Sequence, residues 1–373
     1  MAATAKQIAS SDLSLPKDTY IYALAQLASS IACIASDDSL NVLDPSILKP
    51  KHKVSKCHSS VTSLASVPGS QTLATAGRDG VVKVWDERQD KPLSTLSISN
   101  GQGISALAVN ENFVAAGTEN TKEGPGDVGV YVWDVRHSTA PLRSYLESHN
   151  DTITTLSFSP MSPTHLLSSS TDALLTLFDT THAEEDDAIQ QIFNHSAAVH
   201  LATFLSPDEI AAISSDEALS VYEVSKPEDV ENEDIHALST PYGDVREQLG
   251  ASYVAQVVRS AGETWIASGN FEGRELRLTP LVGGGGKTKW RFEQGRAVKF
   301  EGAHGEEVVR DVLLDEGRGR VVSCGEDGMV RVWSVADVGG GEKMEVEEDG
   351  EESRKEKKRR KKEKREKERF KPY

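Results

Sequence analysis

The sequence predicts an all-β fold, a seven-bladed β-propeller followed by a charged tail, on three observations. The segment Gly77-Arg78-Asp79-Gly80-Val81-Val82-Lys83-Val84-Trp85-Asp86 returns near the end of the chain as Gly325-Glu326-Asp327-Gly328-Met329-Val330-Arg331-Val332-Trp333-Ser334. Units of this kind close at Leu43, Trp85, Trp133, Phe178, Tyr222, Leu278 and Trp333, 42 to 56 residues apart. One four-stranded blade takes about 40–45 residues, and insertions lengthen the rest. The units open on strands rich in β-branched residues at period two, and almost nothing before residue 342 has the pattern of a long amphipathic helix.

The units follow in order. In the first, Asp37 leads through Ser39-Leu40-Asn41-Val42 to Leu43. The second opens with Val61-Thr62-Ser63-Leu64-Ala65, turns at Asp79-Gly80 and closes on Trp85. The third opens at Ile104, carries an insertion over roughly residues 118–129, and closes with Val130-Tyr131-Val132-Trp133. The fourth opens at Ile153 and pairs Asp172 with Phe178; the fifth pairs Asp216 with Tyr222; the sixth pairs Glu272 with Leu278. The seventh opens at Val308 and ends on Trp333, with one strand's worth of chain left before Gly339-Gly340-Gly341.

Two stretches, CHSSVTSLASVPGSQTLATAGRDGVVKVWD and HGEEVVRDVLLDEGRGRVVSCGEDGMVRVW, carry a resemblance to the WD40-repeat family, which covers about residues 18 to 336. The resemblance implies a propeller whose blades each hold a hydrogen-bonded relay of His, Ser/Thr, Asp and Trp. In the second unit the relay falls on His58, Thr75, Asp79 and Trp85, and in the seventh on His304, Ser323, Asp327 and Trp333. The fourth keeps His149, Ser168 and Asp172 but ends on Phe178, which has no N–H, and in the fifth Ala212 interrupts His195 and Asp216. Such a set invites comparison with a catalytic triad, but a triad occurs once and faces a cleft. A set repeated at loop–turn junctions is expected to be structural. The resemblance also implies that an N-terminal strand, here about Lys6 to Leu13, completes the last blade and joins the ends, so that residues 1–338 form one propeller.

Composition narrows the function. The 373 residues carry a formal charge of −17, unevenly spread: residues 354–373 hold 13 Lys or Arg against 4 Glu, leaving −26 on residues 1–353. Cys33, Cys57 and Cys324 form no CxxC pair, so neither a disulfide framework nor a metal site is expected. The N-terminus has no secretory core, and the most apolar stretch, residues 21–35, is too short and polar to span a bilayer. Gly283-Gly284-Gly285-Gly286-Lys287-Thr288 lacks the leading Gly of a P-loop, because Leu281 stands there. No cofactor and no catalysis are expected.

What remains is protein binding. The resemblance implies a peptide-binding face formed by the turns before each closing strand, with Arg78, Phe271, Arg246 and Arg310 as candidate contacts. Trp85-Asp86-Glu87-Arg88 and Trp133-Asp134-Val135-Arg136 resemble the box by which some family members dock on the adaptor of cullin-4 ubiquitin ligases, with Arg88 and Arg136 as docking residues. The tail of residues 339–373 is acidic and then basic; Lys357, Lys358, Arg359, Arg360, Lys361 and Lys362 form a nuclear-targeting run. It buries no apolar face and is expected to be disordered or transiently helical. An acidic body with a basic nuclear address suits basic clients, ribosomal proteins or histones, with RNA reached only through the tail. The expectation is a nuclear or nucleolar scaffold, an escort or assembly factor in ribosome biogenesis, monomeric within a larger complex. The alternative is a substrate receptor of a cullin-4 ligase.

Overall fold

The computed structural model describes residues 3–335 except 68, 99, 138–139, 226–238, 261 and 285–287. The chain divides into Met1–Val338 and Gly339–Tyr373. The expectations for the tail, including the run from Lys357 to Lys362, lie outside the described residues.

Seven sheets follow one another along the described chain. Their first strands are Ile21–Gln26, Val61–Ser66, Ile104–Val109, Ile153–Phe158, Val199–Ser206, Tyr253–Ser260 and Val309–Asp315. Each first strand packs on the next, and the seventh packs on the first, so the sheets close into a seven-bladed wheel with these strands at the hub. In blades 1 to 5 the four strands lie in sequence order from first to outermost. The second strands are buried on both faces, as in Ile31–Ala35, where every residue is buried. A strand flanked by neighbouring sheets on both sides reads as a continuous apolar run rather than an alternation.

The apolar core is divided among the seams. Seven buried clusters each join two adjacent blades, including the last with the first. Tyr145 of blade 3 stacks on Phe178 of blade 4 at 4.7 Å, and Phe300 of blade 6 meets Trp333 of blade 7 edge-on at 5.4 Å.

Blade 7 is completed from the other end of the chain. Lys6–Ser11 pairs antiparallel with Val330–Ser334 as its outermost strand. The expected segment ended at Leu13; instead the chain turns through left-handed Leu13 and Ser14, and Leu13 is buried between blades 7 and 1. Ahead of it Ala3–Thr4 pairs in parallel with Val298–Lys299 of blade 6, so the N-terminal segment joins two blades. Blade 6 explains the 55-residue interval from Leu278 to Trp333. Its third strand, Glu275–Gly284, continues into an added strand, Thr288–Phe292, whose Trp290 indole N–H donates to Glu209 of blade 5 at 3.2 Å.

One regularity left no mark in the sequence. In all seven blades the first strand carries a register shift near its start, between Val61 and Ser63 in blade 2 and between Val309 and Asp311 in blade 7. One extra residue there is a β-bulge, which re-aims the side chain that follows. In four blades that side chain bonds the next hub strand. Ser63 Oγ donates to the Ser105 carbonyl at 3.0 Å, and Thr155 Oγ1 accepts from the Ala202 N–H at 3.0 Å. Gln256 Oε1 accepts from the Val312 N–H at 3.4 Å, and Asp311 Oδ2 from the Leu24 N–H at 2.7 Å.

Deleting residues 1–11 removes the outermost strand of blade 7 and the clasp on blade 6 together. Thermal unfolding monitored by circular dichroism is expected to shift down by about 10 °C or more; an unchanged melting temperature would refute closure through this segment.

Candidate functional site

The relay residues meet in blades 2 and 7. Trp85 Nε1–H donates to Thr75 Oγ1 at 2.8 Å, Thr75 Oγ1 lies 2.8 Å from His58 Nε2, and His58 Nδ1 lies 3.0 Å from Asp79. With the indole already donating to Thr75, the Thr75 hydroxyl donates to His58 Nε2, and the ring donates Nδ1–H to the carboxylate. Asp79 also accepts from the Ser59 N–H at 3.2 Å, tying the loop before the blade to its own turn. In blade 7 the same distances are 3.0, 2.8 and 2.7 Å along Trp333, Ser323, His304 and Asp327, and Arg331 adds a 2.6 Å bond to Asp327. Glycine is required beside each ring: a Cβ on Gly77 would lie 2.8 Å from His58 Cβ, and one on Gly325 would lie 2.7 Å from His304 Nδ1.

Blade 4 keeps the inner part, with His149 3.1 Å from Asp172 and 2.7 Å from Ser168. Blade 5 rewires it. His195 turns to the Tyr222 hydroxyl at 2.9 Å and the Ala218 carbonyl at 3.2 Å, and Asp216 bonds Ser214. Thr75, Ser168 and Ser323 are fully buried, so none presents a hydroxyl to a substrate. Burial pulls the His58 and His304 rings below the ordinary imidazole pKa, against the opposing effect of Asp79 and Asp327. Burial works against the Asp327 carboxylate, yet His304 and Arg331 hold it below its usual value. The sets are loop clamps. Among the described residues no group of His, Cys, Asp or Glu is placed to hold a metal ion, and no helix is long and apolar enough to cross a membrane.

The antiparallel strand order places the second-to-third-strand turns on the same face as the loops between blades. On this face lie Arg78, Arg246, Phe271 and Arg310. One hollow of about 440 Å³ is walled by Tyr20, Tyr22, Asp38, Arg78, Glu119 and Arg310. A second, of about 330 Å³, is walled by His200, Glu217, Tyr253, Phe271 and Arg310. Arg310 therefore stands between them. Phe271 is 43% exposed and packs on Tyr253 at 5.0 Å. Sequence reasoning missed Tyr253, because it comes from a strand start 18 residues earlier with no motif of its own. The arginines are not free cations. Arg78 bonds Glu119 at 2.9 Å, Arg246 bonds Asp244 at 2.6 Å, and Arg310 is closed on Glu326. Each is paired with an acid, and the exposed Phe271 with Tyr253 lies beside Arg310.

Arg88 and Arg136 lie on the opposite face, each closed on the Asp of its own box. Arg88 reaches Asp86 at 2.8 and 2.5 Å, and Arg136 reaches Asp134 at 2.9 and 2.6 Å. Between these adjacent blades lies a hollow of about 360 Å³ walled by Val67, Val84, Val109, Val114 and Val135. The acidic stretch at residues 184–187 enters a short helix, Glu185–Ala188, and is partly internal: Glu185 accepts from the backbone N–H groups of Glu147 and Ser148 at 3.0 and 2.7 Å.

Residues 49–86, 140–179 and 296–334 match the family described as WD domain, G-beta repeat. Each match begins near the outermost strand of one blade and ends on the third strand of the next. The three matches enclose the units whose His–Ser/Thr–Asp sets are joined. An uncharacterized WD repeat-containing protein of Saccharomyces cerevisiae is 30% identical over 304 residues, covering 80% of this chain and 74% of that protein. One from Schizosaccharomyces pombe is 28% identical over 327 residues, covering 85% and 96%. The WD repeat-containing protein 89 homolog of Dictyostelium discoideum is 23% identical over 337 residues, covering 86% and 84%.

Blade 4 tolerates an aromatic without an N–H, so Trp85→Phe is expected to cost about 1 kcal/mol, one net hydrogen bond. Thr75→Ala strands both His58 Nε2 and the Trp85 indole and is expected to cost about 2–4 kcal/mol. Denaturant unfolding of the two variants checks the order, and equal losses would refute the relay. A depressed histidine pKa also means that the stability these rings contribute is present above pH ~6.5 and lost as pH falls. In NMR titrations the midpoints of His58 and His304 are expected to lie below 6.5; midpoints at or above 6.5 would overturn the depression by burial.

Proposed function

We propose a function from one premise: the chain belongs to the WD40-repeat family of β-propellers, whose general role is to scaffold protein interactions. The protein acts as a non-catalytic escort for basic proteins in the nucleus, extending to ribosome assembly in the nucleolus. One observation carries this reading, the charge division between −26 on residues 1–353 and +9 on residues 354–373. An acidic rigid body repels nucleic acid and steers basic chains toward it. The basic run supplies a nuclear address and the only segment suited to RNA. The face of the second-to-third-strand turns, with Phe271 on Tyr253 beside Arg310, gives the client an apolar anchor next to closed ion pairs.

A second reading, docking on a cullin-4 ligase adaptor, is favoured by one observation. The Arg88 and Arg136 boxes adopt matching bidentate geometry on one face of adjacent blades.

One experiment separates them. Affinity capture with the full chain is expected to retain ribosomal proteins or histones at low salt and to release them as salt rises toward about 0.5 M. Phe271→Ala with Arg310→Ala is expected to weaken retention about tenfold, and removing residues 354–373 is expected to leave it intact while a tagged chain loses nuclear localisation. Retention that ignores salt, or a tagged full chain that stays cytoplasmic, would sink the first reading. Loss of a ligase adaptor on Arg88→Ala with Arg136→Ala would establish the second.

A further inference from the structure

The side chain after the bulge bonds the next hub strand in blades 2, 4, 6 and 7. Ser63, Thr155 and Gln256 do so with a hydroxyl or an amide. Asp311 does so with a carboxyl, at the seam where the seventh blade meets the first. It is held on all sides. Oδ2 accepts from the Leu24 N–H of blade 1 at 2.7 Å, Oδ1 accepts from the Val312 N–H of its own strand at 2.7 Å, and the Gln256 amide of blade 6 lies against it.

The surrounding groups supply no cation. From the second strand of blade 7 the facing group is Cys324, fully buried, its thiol pushed well above its ordinary value by burial and then by Asp311. Cys33, from the second strand of blade 1, lies in the same apolar cluster. On the hub strand of blade 1 the titratable group is Tyr22, whose hydroxyl bonds the Val61 carbonyl of blade 2. On the hub strand of blade 6 the charged group is Arg259, bonded to the Phe204 carbonyl. On its own strand Arg310 is closed on Glu326, and Asp315 on Arg318. The donors that reach Asp311 are neutral, and burial pushes its carboxyl up to about 7.

We propose that Asp311 makes the joint between blades 7 and 1 a proton-sensitive latch, tightest while the carboxyl is neutral. Opening the joint to water would let the carboxyl ionise near its ordinary value of about 3.9. The closed joint keeps the proton to about 7. Between those limits opening releases a proton, so each unit rise in pH increases the open fraction about tenfold. Above the upper limit both forms are ionised and the response levels off. The joint is therefore loosest at neutral pH and tightens in acid, opposite in sign to the relay histidines.

Hydrogen exchange of the intact chain, corrected for intrinsic rates and read by mass spectrometry from pH 5 to 7.5, tests the latch. Exchange in Ile21–Gln26 and Val309–Asp315 is compared with Ile104–Val109, which is joined by hydroxyls. Protection at the Asp311 joint is expected to fall about tenfold per pH unit up to 7 relative to the reference strand. Asp311→Asn is expected to abolish that slope. Asp311→Thr, which installs the side chain that blade 4 uses at this register, does the same and serves if the Asn variant fails to fold. A wild-type joint that tracks the reference strand across the range would overturn the proposal, as would a slope that survives either substitution.

Discussion

The pairing of Lys6–Ser11 with Val330–Ser334 is the constraint on which the rest of the wheel depends. No blade has a core of its own, because each buried cluster is shared between neighbours. A blade without its partner would expose both faces of a sheet whose second strand is buried almost throughout. Closure converts seven marginal sheets into a structure with no end, in which every seam supports the next. The clasp of Ala3–Thr4 on blade 6 spreads the load of that one joint over two blades.

The fold was legible because its markers are local. A turn acid, a closing aromatic six residues later and a histidine about twenty residues earlier lie within one unit, so covalent spacing displays them. Contacts between units were hidden. The residues after the bulge that bond the next strand are Ser63, Thr155, Gln256 and Asp311, hydroxyl, amide and carboxyl groups that share only a register. Glu185 reads as one more surface charge until the loop before blade 4 is seen folded over it. The arginines on the face of the second-to-third-strand turns read as binding groups, and their neutralisation by Glu119 and Glu326 belongs to loop geometry that spacing does not encode.

That neutralisation shapes what the protein offers a partner. In blades 2 and 7 the relays hold the turns that carry Arg78 and Glu326, and Arg310, paired with Glu326, borders the surface of Tyr253 and Phe271. A scaffold of this kind separates two tasks. On the proposed reading, long-range attraction would come from the charge of the whole body, and discrimination from an aromatic surface small enough to be set by a few loops. In blades 2, 4 and 7 the turn is tied to the loop before the blade through a buried histidine.

The clasping strand has a consequence for biosynthesis. Lys6–Ser11 leaves the ribosome more than three hundred residues before its partner Val330–Ser334 is made. Throughout that interval it must remain extended and uncommitted, while the first blade lacks the neighbour that will cover it. The final fold is a late event of high contact order, and the nascent chain carries an unpaired edge for most of its elongation.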